Sequence, residues 1–589
     1  MNNKFKNITY AAAAVLIAAG LPSCSKQLNE VNPSNTTAEA TWTTPQGYVA
    51  AVNAAYYDTH EWYGIEDGLL MSEGGTDLWF NATKANYANQ LTRYEAFTPS
   101  SSGTEKNTWI YSWRGINQCN GAINHIDDAG FTDSTEKRKR LAEVRFLRAF
   151  YYYHIVETWG GVELRTAETN GADLTATRNK PEEFYDLMIS DLLYAKDNLP
   201  LSWGTNVNSE YSRASKKSAA GLLARVYLSR AYYSTGGDAA AWFTKAKDAA
   251  LDVINNKTIY GTDLWANYAD LWDPKNNKVN KESLFTISYS LTNPTYNYSA
   301  NANRKYKWFV AKYNGKPGLV TSLLYGMENE QRLMPTWHLL DLYNENIDAR
   351  YGASFLENYL CNTAGYTWVK GDTATYFKAS SVVGSKIDTN TLAMQITKGV
   401  VANKKTLPYV VFDRNDTYIN PQPGQPANIN TNTTLNNYFV ALRKFADPNR
   451  TTPSTSPGYN DIFAIRFAEM YMIAAEAYFQ LGDNANAALM INVLRTRAAK
   501  PGQVAAMQIL PTDVTINLIL DERAREFAGE QMRWFDLKRI FRGADFANYI
   551  KTYNPDISAV QDFHRLRPVP QTEMDALLNA AEFGQNPGY

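Results

Sequence analysis

The sequence predicts a mainly α-helical protein with little β structure, built on a scaffold of tetratricopeptide-like helix pairs with one loop-rich face. Three observations support this prediction. Apolar residues recur at steps of three and four along several long segments, and one pair of segments matches the spacing of a tetratricopeptide repeat. In addition, about two hundred residues in the middle of the 589-residue chain are rich in Asn, Thr, Gly and Pro.

Amphipathic helices are predicted along the first half of the chain. Over 136–158 the apolar residues follow helical spacing, and Gly160-Gly161 ends the run. The next helix begins at Pro181, because proline suits the first turn and the acidic pair Glu182-Glu183 suits its positive end. Two further helices are predicted over about 214–234 and 239–255.

The helix-pair signal is sharpest over 471–494, where small residues alternate with Tyr471 and Tyr478, and Gly482-Asp483 forms the turn. A looser match covers 228–246. We therefore expect a helical-repeat scaffold over about 105–256 and 460–545. A loop-rich insert is expected over about 257–459, with one clear helix over 335–351.

The N-terminus has the features of an export signal. Lys4 and Lys6 precede an apolar run over 8–20, which is too short for a stable membrane anchor, and LPSC follows at 21–24. A cysteine at the cut point indicates a lipoprotein signal; the alternative is an ordinary signal peptide with an incidental cysteine. We expect a signal peptide over 1–23, lipidation at Cys24, a flexible tether over 24–44 and a single domain over 45–589.

Composition argues against several classes of partner. The net charge is −1, from 58 basic and 59 acidic side chains, and no charged block stands out, so no nucleic-acid partner is expected. Past the leader, no run approaches twenty apolar residues. Cys119 and Cys361 could form one bridge or remain buried thiols, and the lack of a local spacing rule favours thiols.

The sequence gives little support for catalysis, a metal or a cofactor. It contains no metalloprotease, nucleophile-elbow or phosphate-loop motif, and its five histidines are scattered. The one carboxylate stripe is Glu522, Glu526 and Glu530 on a predicted helix. It could serve a glycosidase, but ion pairs between Asp521 and Arg525 and between Glu530 and Arg533 are the favoured interpretation.

Several motifs, taken together and in order, identify a family resemblance. One anchor is VRFLRAFYY at 144–152, and the strongest are DERAREF at 521–527, RWFDLKR at 533–539 and the ending from RPVPQ at 567–571 to QNPGY at 585–589. With these motifs the chain resembles the SusD/RagB family of outer-membrane nutrient-binding lipoproteins of Bacteroidetes. One departure is Val162-Glu163-Leu164, where members commonly carry Val-Pro-Leu.

The resemblance implies a helical body with a loop-rich ligand-binding face that binds ligand without cleaving it. It also implies a partner, a SusC-like TonB-dependent outer-membrane transporter. We expect a lipid-anchored, cell-surface protein of the outer membrane that binds oligo- or polysaccharide by aromatic stacking and delivers it to that transporter. The alternative is a peptide- or protein-binding family member, or a helical-repeat interaction scaffold.

Aromatic residues make up 13% of the chain, and Tyr and Trp rings offer flat faces on which sugars stack. Two groups of loop residues are predicted to form the ligand platform, with Asp77 and Asn81 accepting or donating hydrogen bonds to hydroxyls. For each aromatic residue, the alternative is packing in the core or against the transporter. The predicted ligand-binding residues are Trp62, Tyr63, Asp77, Trp79, Asn81, Tyr87, Tyr289, Tyr296 and Trp308.

Overall fold

The computed structural model describes residues 41–82, 86–101, 103–234, 238–290, 303–327, 330–416, 437–455 and 457–589. The helices up to the insert are α1 (Pro45–Tyr57), α2 (Thr59–Tyr63), α3 (Glu66–Ser72), α4 (Asn86–Arg93), α5 (Gly103–Asn124), α6 (Ser134–Trp159), α7 (Pro181–Asn198), α8 (Lys216–Tyr233) and α9 (Ala239–Asn255). The short helices of the insert are α10 (Lys257–Tyr260), α11 (Tyr268–Trp272), α12 (Lys305–Trp308), α13 (Trp337–Asp341), α14 (Arg350–Ser354) and α15 (Lys370–Thr375). The C-terminal helices are α16 (Phe467–Gln480), α17 (Asn484–Ala498), α18 (Val504–Met507), α19 (Ile516–Phe527), α20 (Arg533–Ile540), α21 (Ala544–Tyr553), α22 (Gln571–Ala576) and α23 (Ala580–Phe583).

The strands are short, and most of them lie in the insert. They are β1 (Trp79–Asn81), β2 (Ser283–Ile287), β3 (Leu333–Pro335), β4 (Phe355–Leu356), β5 (Asn358–Leu360), β6 (Tyr366–Thr367), β7 (Lys386–Ile387), β8 (Leu392–Ile396), β9 (Val410–Phe412), β10 (Ala441–Leu442) and β11 (Ile462–Arg466). They form two-stranded antiparallel pairs, β1–β3, β2–β11, β4–β10 and β6–β7, and one three-stranded sheet in the order β5–β8–β9. The prediction of a mainly α fold with little β structure is confirmed.

The predicted helix boundaries have identifiable causes. The Asp133 side chain accepts a hydrogen bond of 2.7 Å from the backbone N–H of Thr135 and so caps α6. Gly160 ends the same helix at φ +74°, a conformation that favours glycine. Pro181 occupies the first turn of α7 as expected. The helices predicted over 136–158, 214–234 and 239–255 are likewise confirmed within two residues at each end.

The predicted tetratricopeptide-like pair is α16 and α17. Gly482 makes the turn at φ +80°, and the Asp483 side chain caps α17 by accepting from the backbone N–H of Asn486 at 3.0 Å. The buried alanines Ala474 and Ala475 let neighbouring helices approach closely. The pair α8 and α9 packs against α16, so two helix pairs that are far apart in sequence form one array.

The helix predicted over 335–351 is wrong. Pro335 ends β3, which pairs with β1, and α13 ends at Asp341. A turn follows, closed by a 2.8 Å hydrogen bond from the N–H of Asp348 to the carbonyl of Asn344. Arg350 then begins a separate helix, α14. Strand pairing with a segment far away in sequence overrides the local helical spacing.

The described residues pack into two main hydrophobic cores. The larger lies among the helices, and the smaller lies in the insert and includes β1, α12 and the β5–β8–β9 sheet. Helix α19 belongs to both, since Leu520 and Phe527 lie in the larger core and Ala524 in the smaller. Cys119 is a free buried thiol of the larger core and Cys361 of the smaller, so the favoured prediction of buried thiols is confirmed.

The predicted signal peptide, Cys24 and most of the 24–44 tether lie outside the described residues. The last part of that tether contacts the body: the Trp42 ring stacks on His125, with 5.0 Å between centroids, and Thr44 caps α1. Among the described residues, no helix combines the length and the apolar character that a bilayer crossing requires.

Candidate functional site

Three tryptophans predicted to lie bare on the surface are instead buried in the cores. Trp62 is 6% exposed, and Trp79 and Trp308 are both 0% exposed. The Trp79 indole donates a 2.7 Å hydrogen bond to Glu73 Oε2 and packs against the ring of Phe309. The prediction that these rings form a bare stacking platform is therefore wrong, because neighbouring side chains already cover their faces.

The tyrosines beside them are also part of the core. The Tyr63 ring stacks on Phe150, with 5.9 Å between centroids, and its hydroxyl lies 3.2 Å from His154 Nε2. Tyr289 is buried with its ring edge-on to His60 at 4.9 Å. Neither ring offers a face to a ligand in this structure. Tyr296 lies outside the described residues.

The two polar residues of the prediction bind protein groups. Asp77 forms a buried bidentate ion pair with Arg533, at 2.8 Å from Nε to Oδ1 and 2.6 Å from Nη2 to Oδ2. Burial alone would raise the pKa of Asp77, but the charge and hydrogen bonds of Arg533 outweigh it and hold that pKa far below its usual range. Asn81 is buried and donates through Nδ2 to Asn89 Oδ1 at 2.9 Å. The predicted role for both residues, hydrogen bonding to sugar hydroxyls, is wrong because neither is accessible.

Tyr87 is the one described residue of the predicted set with an open ring, at 47% exposure. Its hydroxyl donates to both carboxylate oxygens of Glu66, at 2.9 and 3.0 Å. The Arg332 guanidinium lies 5.2 Å from the ring centroid and pairs with the same carboxylate. Nearby, Lys307 pairs with Glu330 at 2.8 Å. We call these five residues, Glu66, Tyr87, Lys307, Glu330 and Arg332, the Tyr87 cluster.

The Tyr87 cluster is charged but internally paired. Burial acts to raise the pKa of Glu330, yet the hydrogen bond and charge of Lys307 outweigh it, so the pKa lies below its usual value. For Glu66, burial is the larger effect and raises the pKa of the carboxyl despite Arg332 and Tyr87. The partly exposed carboxylates of Glu66 and Glu330 beside a half-exposed ring suit hydrogen bonding to a polyhydroxylated ligand, while the buried Lys307 and Arg332 hold these carboxylates in place.

A hollow of about 200 Å³ adjoins α12, and it was not predicted. We call it the insert hollow. Tyr325 forms part of its wall and is fixed there, since its hydroxyl accepts from the N–H of Leu360 at 2.7 Å and its ring packs on Tyr313 and Tyr359. The rim carries apolar groups that solvent reaches, with Leu324 61% and Leu360 43% exposed. Its remaining polar lining includes Asn358 and Arg443.

Helix α12 places the insert hollow next to the Tyr87 cluster. Tyr306 lines the hollow, and the Arg450 guanidinium lies 4.0 Å from the centroid of its ring. The Tyr306 hydroxyl donates to the Thr455 carbonyl at 3.0 Å. The next residue, Lys307, pairs with Glu330 of the Tyr87 cluster. Adjacent residues of one short helix therefore contribute to both features. The insert hollow and the Tyr87 cluster together are called the candidate ligand-binding face.

The many aromatic residues of the insert were a sequence signal for this face, but the sequence did not show which of them line the hollow. Tyr306, Trp308, Phe309, Tyr313 and Tyr325 lie within about twenty residues of one another. Trp308, Phe309 and Tyr325 all belong to the smaller core, and Tyr325 also lines the hollow, as the buried Tyr306 does. Irregular segments lack the periodicity that would distinguish these rings.

The predicted carboxylate stripe is a structural ion network, as favoured. Glu522 and Glu526 lie on α19, but the helix ends at Phe527, so the placement of Glu530 on the same helix is wrong. Glu522 pairs with Arg350 at 2.8 Å and with Arg495 at 2.9 Å, and Glu530 pairs with Arg466 at 2.6 Å. The predicted pairs Asp521–Arg525 and Glu530–Arg533 are wrong. Arg525 binds Glu522, and Arg533 binds Asp77.

The middle acid of the stripe is also neutralised by arginines. Glu526 pairs with Arg350, Arg466 and Arg497, which outweigh burial and lower its pKa to about 2. A buried acid that stays ionised is unsuited to general-acid catalysis. Within the described ranges, no group of three or more His, Cys, Asp or Glu side chains is arranged to hold a metal ion.

Two family models match this chain. The model described as the SusD family matches residues 276–589, and the model described as starch-binding associating with outer membrane matches residues 69–228. The two matches cover the insert with the C-terminal helices and the N-terminal helical body, respectively.

Similar proteins cover almost the same length. A SusD-like protein P2 of Formosa agariphila is 27% identical over 98% of this chain and 99% of its own. The starch-binding protein SusD of Bacteroides thetaiotaomicron is 24% identical over 84% of this chain and 80% of its own.

Solved structures share the fold at low identity. A SusD homolog from Bacteroides thetaiotaomicron has a TM-score of 0.68 at 20% identity, covering 94% of this chain and 100% of that one. A laminarin-binding SusD-like protein has a TM-score of 0.62 at 20% identity, covering 93% and 100% of the two chains. These likenesses establish the helical fold.

Proposed function

Because this chain belongs to the SusD family, whose model matches more than half of it, we propose that it is a cell-surface lipoprotein that binds an oligo- or polysaccharide. In this proposal it delivers the glycan to a SusC-like TonB-dependent transporter. The signal peptide over 1–23, the lipid on Cys24 and the single domain over 45–589 belong to the same proposal. The second family model is described as associating with the outer membrane, which supports that location.

The names of similar proteins support a glycan as the ligand. One curated relative is a starch-binding protein and one structural neighbour binds laminarin. Both matches span most of the two chains, so the comparison concerns whole proteins and not a shared fragment. They are binding proteins by name, and we propose that this chain likewise binds without cleaving.

The observation that carries the site is the insert hollow beside the Tyr87 cluster. Leu324 and Leu360 give the hollow an apolar rim, and covering such surface contributes about 25 cal/mol per Å². The ring of Tyr87 gives an open stacking face next to charged hydrogen-bonding groups. A glycan chain could place one ring on Tyr87 and a neighbouring unit in the hollow.

The exposed leucines also favour a second candidate. An apolar rim with an arginine nearby suits a peptide side chain and a carboxylate, and Arg443 lies in the lining of the hollow. A peptide-binding member of the family is therefore the alternative function.

Calorimetric titration of the purified protein with laminarin, starch and xylan oligosaccharides, and with mixed peptides, distinguishes the two candidates. We expect one glycan class to bind, and Tyr87→Ala to weaken that binding about tenfold or more. Tyr57→Ala is the matched control, because Tyr57 is 42% exposed but lies on α1 and belongs neither to the Tyr87 cluster nor to the lining of the hollow. Binding of peptides alone, or equal loss in both variants, would contradict the proposal.

A further inference from the structure

We propose that a second hollow, which shares no lining residue with the insert hollow, binds a saccharide unit that carries a carboxylate, such as a uronic acid. It has a volume of about 220 Å³ and lies between the loop over 201–213, the start of α8, helix α10 and strand β2. We call it the basic groove. The basic groove contains no residue of the candidate ligand-binding face, so the two proposals can fail separately.

The basic groove is positively charged on a chain that is nearly neutral overall. Arg213, Lys217 and Lys281 line it, and no Asp or Glu belongs to the described residues of its lining. The charge of Arg213 is already matched by Glu143, at 3.3 Å, and Glu210, at 3.5 Å. Lys281 lies over the ring of Trp265, 4.6 Å from its centroid.

Lys217 differs from the other two cations. It is half-buried in the second position of α8, and it forms no hydrogen bond or ion pair with any residue that the structure describes. Burial lowers the pKa of its ammonium to about 8, so the group is still mostly charged at pH 7. A half-buried charge without a partner is unfavourable, and an anion entering the groove would supply the missing interaction.

The rest of the lining suits a sugar better than a bare anion. Seven Ser and Thr side chains line the groove. Some of them pair with each other, as Ser283 does with Thr286 at 2.7 Å. The loop residues Thr205 and Ser212 also line the groove, and their side chains have no partner among the described residues. Hydroxyl groups recognise other hydroxyls as both donors and acceptors.

The rim adds an apolar component. Ile259 is 62% and Leu201 46% exposed, so a ring that enters the groove covers hydrocarbon surface as well as reaching the ammonium. The volume is below the roughly 300–1,000 Å³ of pockets for drug-sized ligands, which points to a single ring of a longer chain. Charge, hydroxyl groups and an apolar rim together select a sugar acid.

The test is calorimetric titration with trigalacturonate, compared with the uncharged maltotriose, on the full-length mature protein. We expect trigalacturonate to bind at least tenfold more tightly, and Lys217→Gln to abolish that preference. Lys216→Gln is the matched control, because Lys216 is the neighbouring cation on α8 and does not line the groove. Lys217 has no described partner to lose, so its variant should fold, and a thermal melt checks this.

Three results would overturn the proposal. Equal binding of the charged and uncharged trimers would exclude a carboxylate site. Equal losses in the Lys216 and Lys217 variants would reduce the effect to general surface charge. Binding of hexaglutamate with no binding of trigalacturonate would assign the groove to an acidic protein partner instead. Because Tyr87→Ala leaves the groove intact, its effect on trigalacturonate separates this site from the candidate ligand-binding face.

Discussion

Asp77 accepts two hydrogen bonds from the guanidinium of Arg533, a residue 456 positions later in the chain. This buried pair joins the segment before β1 to the start of α20. His338 of α13 lies 3.4 Å from the same carboxylate. Three segments that are far apart in sequence therefore contact one another at Asp77. This explains why Asp77, although it lies in a glycine-rich turn, stabilises the fold instead of binding a ligand.

Removing one partner of this pair should destabilise the fold. Arg533→Met leaves a buried carboxylate uncompensated, which costs about 3–5 kcal/mol of unfolding free energy. Urea denaturation followed by circular dichroism measures the change. Arg138→Met, on the exposed face of α6, is the control and should change stability by less than about 0.5 kcal/mol. A loss in Arg533→Met no larger than in this control would contradict the structural role.

Trp79 should matter for stability and not specifically for ligand binding. Trp79→Ala should cost about 3–5 kcal/mol of unfolding free energy, because it opens a cavity in the smaller core. Trp79→Phe keeps most of the packing and should bind glycan with unchanged affinity. Selective loss of glycan binding in a stable Trp79→Phe protein would restore the stacking role that we reject.

The sequence was sufficient for features that depend on neighbouring residues. Helical spacing, the cap at Asp133 and the Gly482 turn are local, so the helices and the repeat pair were predictable. The orientation of Trp79 depends on pairing with β3, and the partners of Asp77 and Glu530 lie far away in the chain. Such contacts leave no periodic signal, which is why the ligand platform was misplaced and the insert hollow was missed.

Glu61 should make stability decrease with rising pH. It is buried on α2, and neither carboxylate oxygen has a hydrogen-bond partner among the described residues. Burial, reinforced by the charges of Asp58 and Asp67, raises its pKa to about 8. The unfolded state releases the Glu61 proton near pH 4.5, whereas the native state keeps it until about pH 8. The contribution of Glu61 to the free energy of unfolding is therefore full below pH 4.5 and is lost as the pH rises through 8.

The variant Glu61→Gln tests this sign, because glutamine is always neutral. Thermal melts from pH 5 to pH 9 should show the variant gaining stability relative to the natural protein as pH rises. The difference should be on the order of 3 kcal/mol at pH 9 and close to zero at pH 5. A constant difference across this range would show that Glu61 is ionised in the native state.

The α19 ion network should respond differently. Glu526→Gln leaves Arg350, Arg466 and Arg497 with one charge less to balance them, so we expect a loss of about 3 kcal/mol or more in urea denaturation at pH 7. Glu582→Gln, at an exposed position near the C-terminus, is the control. If Glu526→Gln is as stable as the natural protein and neither releases reducing sugar from a glycan, the network role would be contradicted. If the natural protein hydrolyses a glycan and the variant does not, an enzyme would be favoured.

The position of α19 in both cores determines how the protein unfolds. Leu520 and Phe527 are fixed among the helices while Ala524 is fixed in the insert, and Arg350 of the insert is tied to Glu522. Neither core can open without disrupting the same helix. Scanning calorimetry should therefore record one cooperative unfolding transition for both cores, with equal calorimetric and van't Hoff enthalpies. The candidate ligand-binding face would then stay folded until the whole protein unfolds.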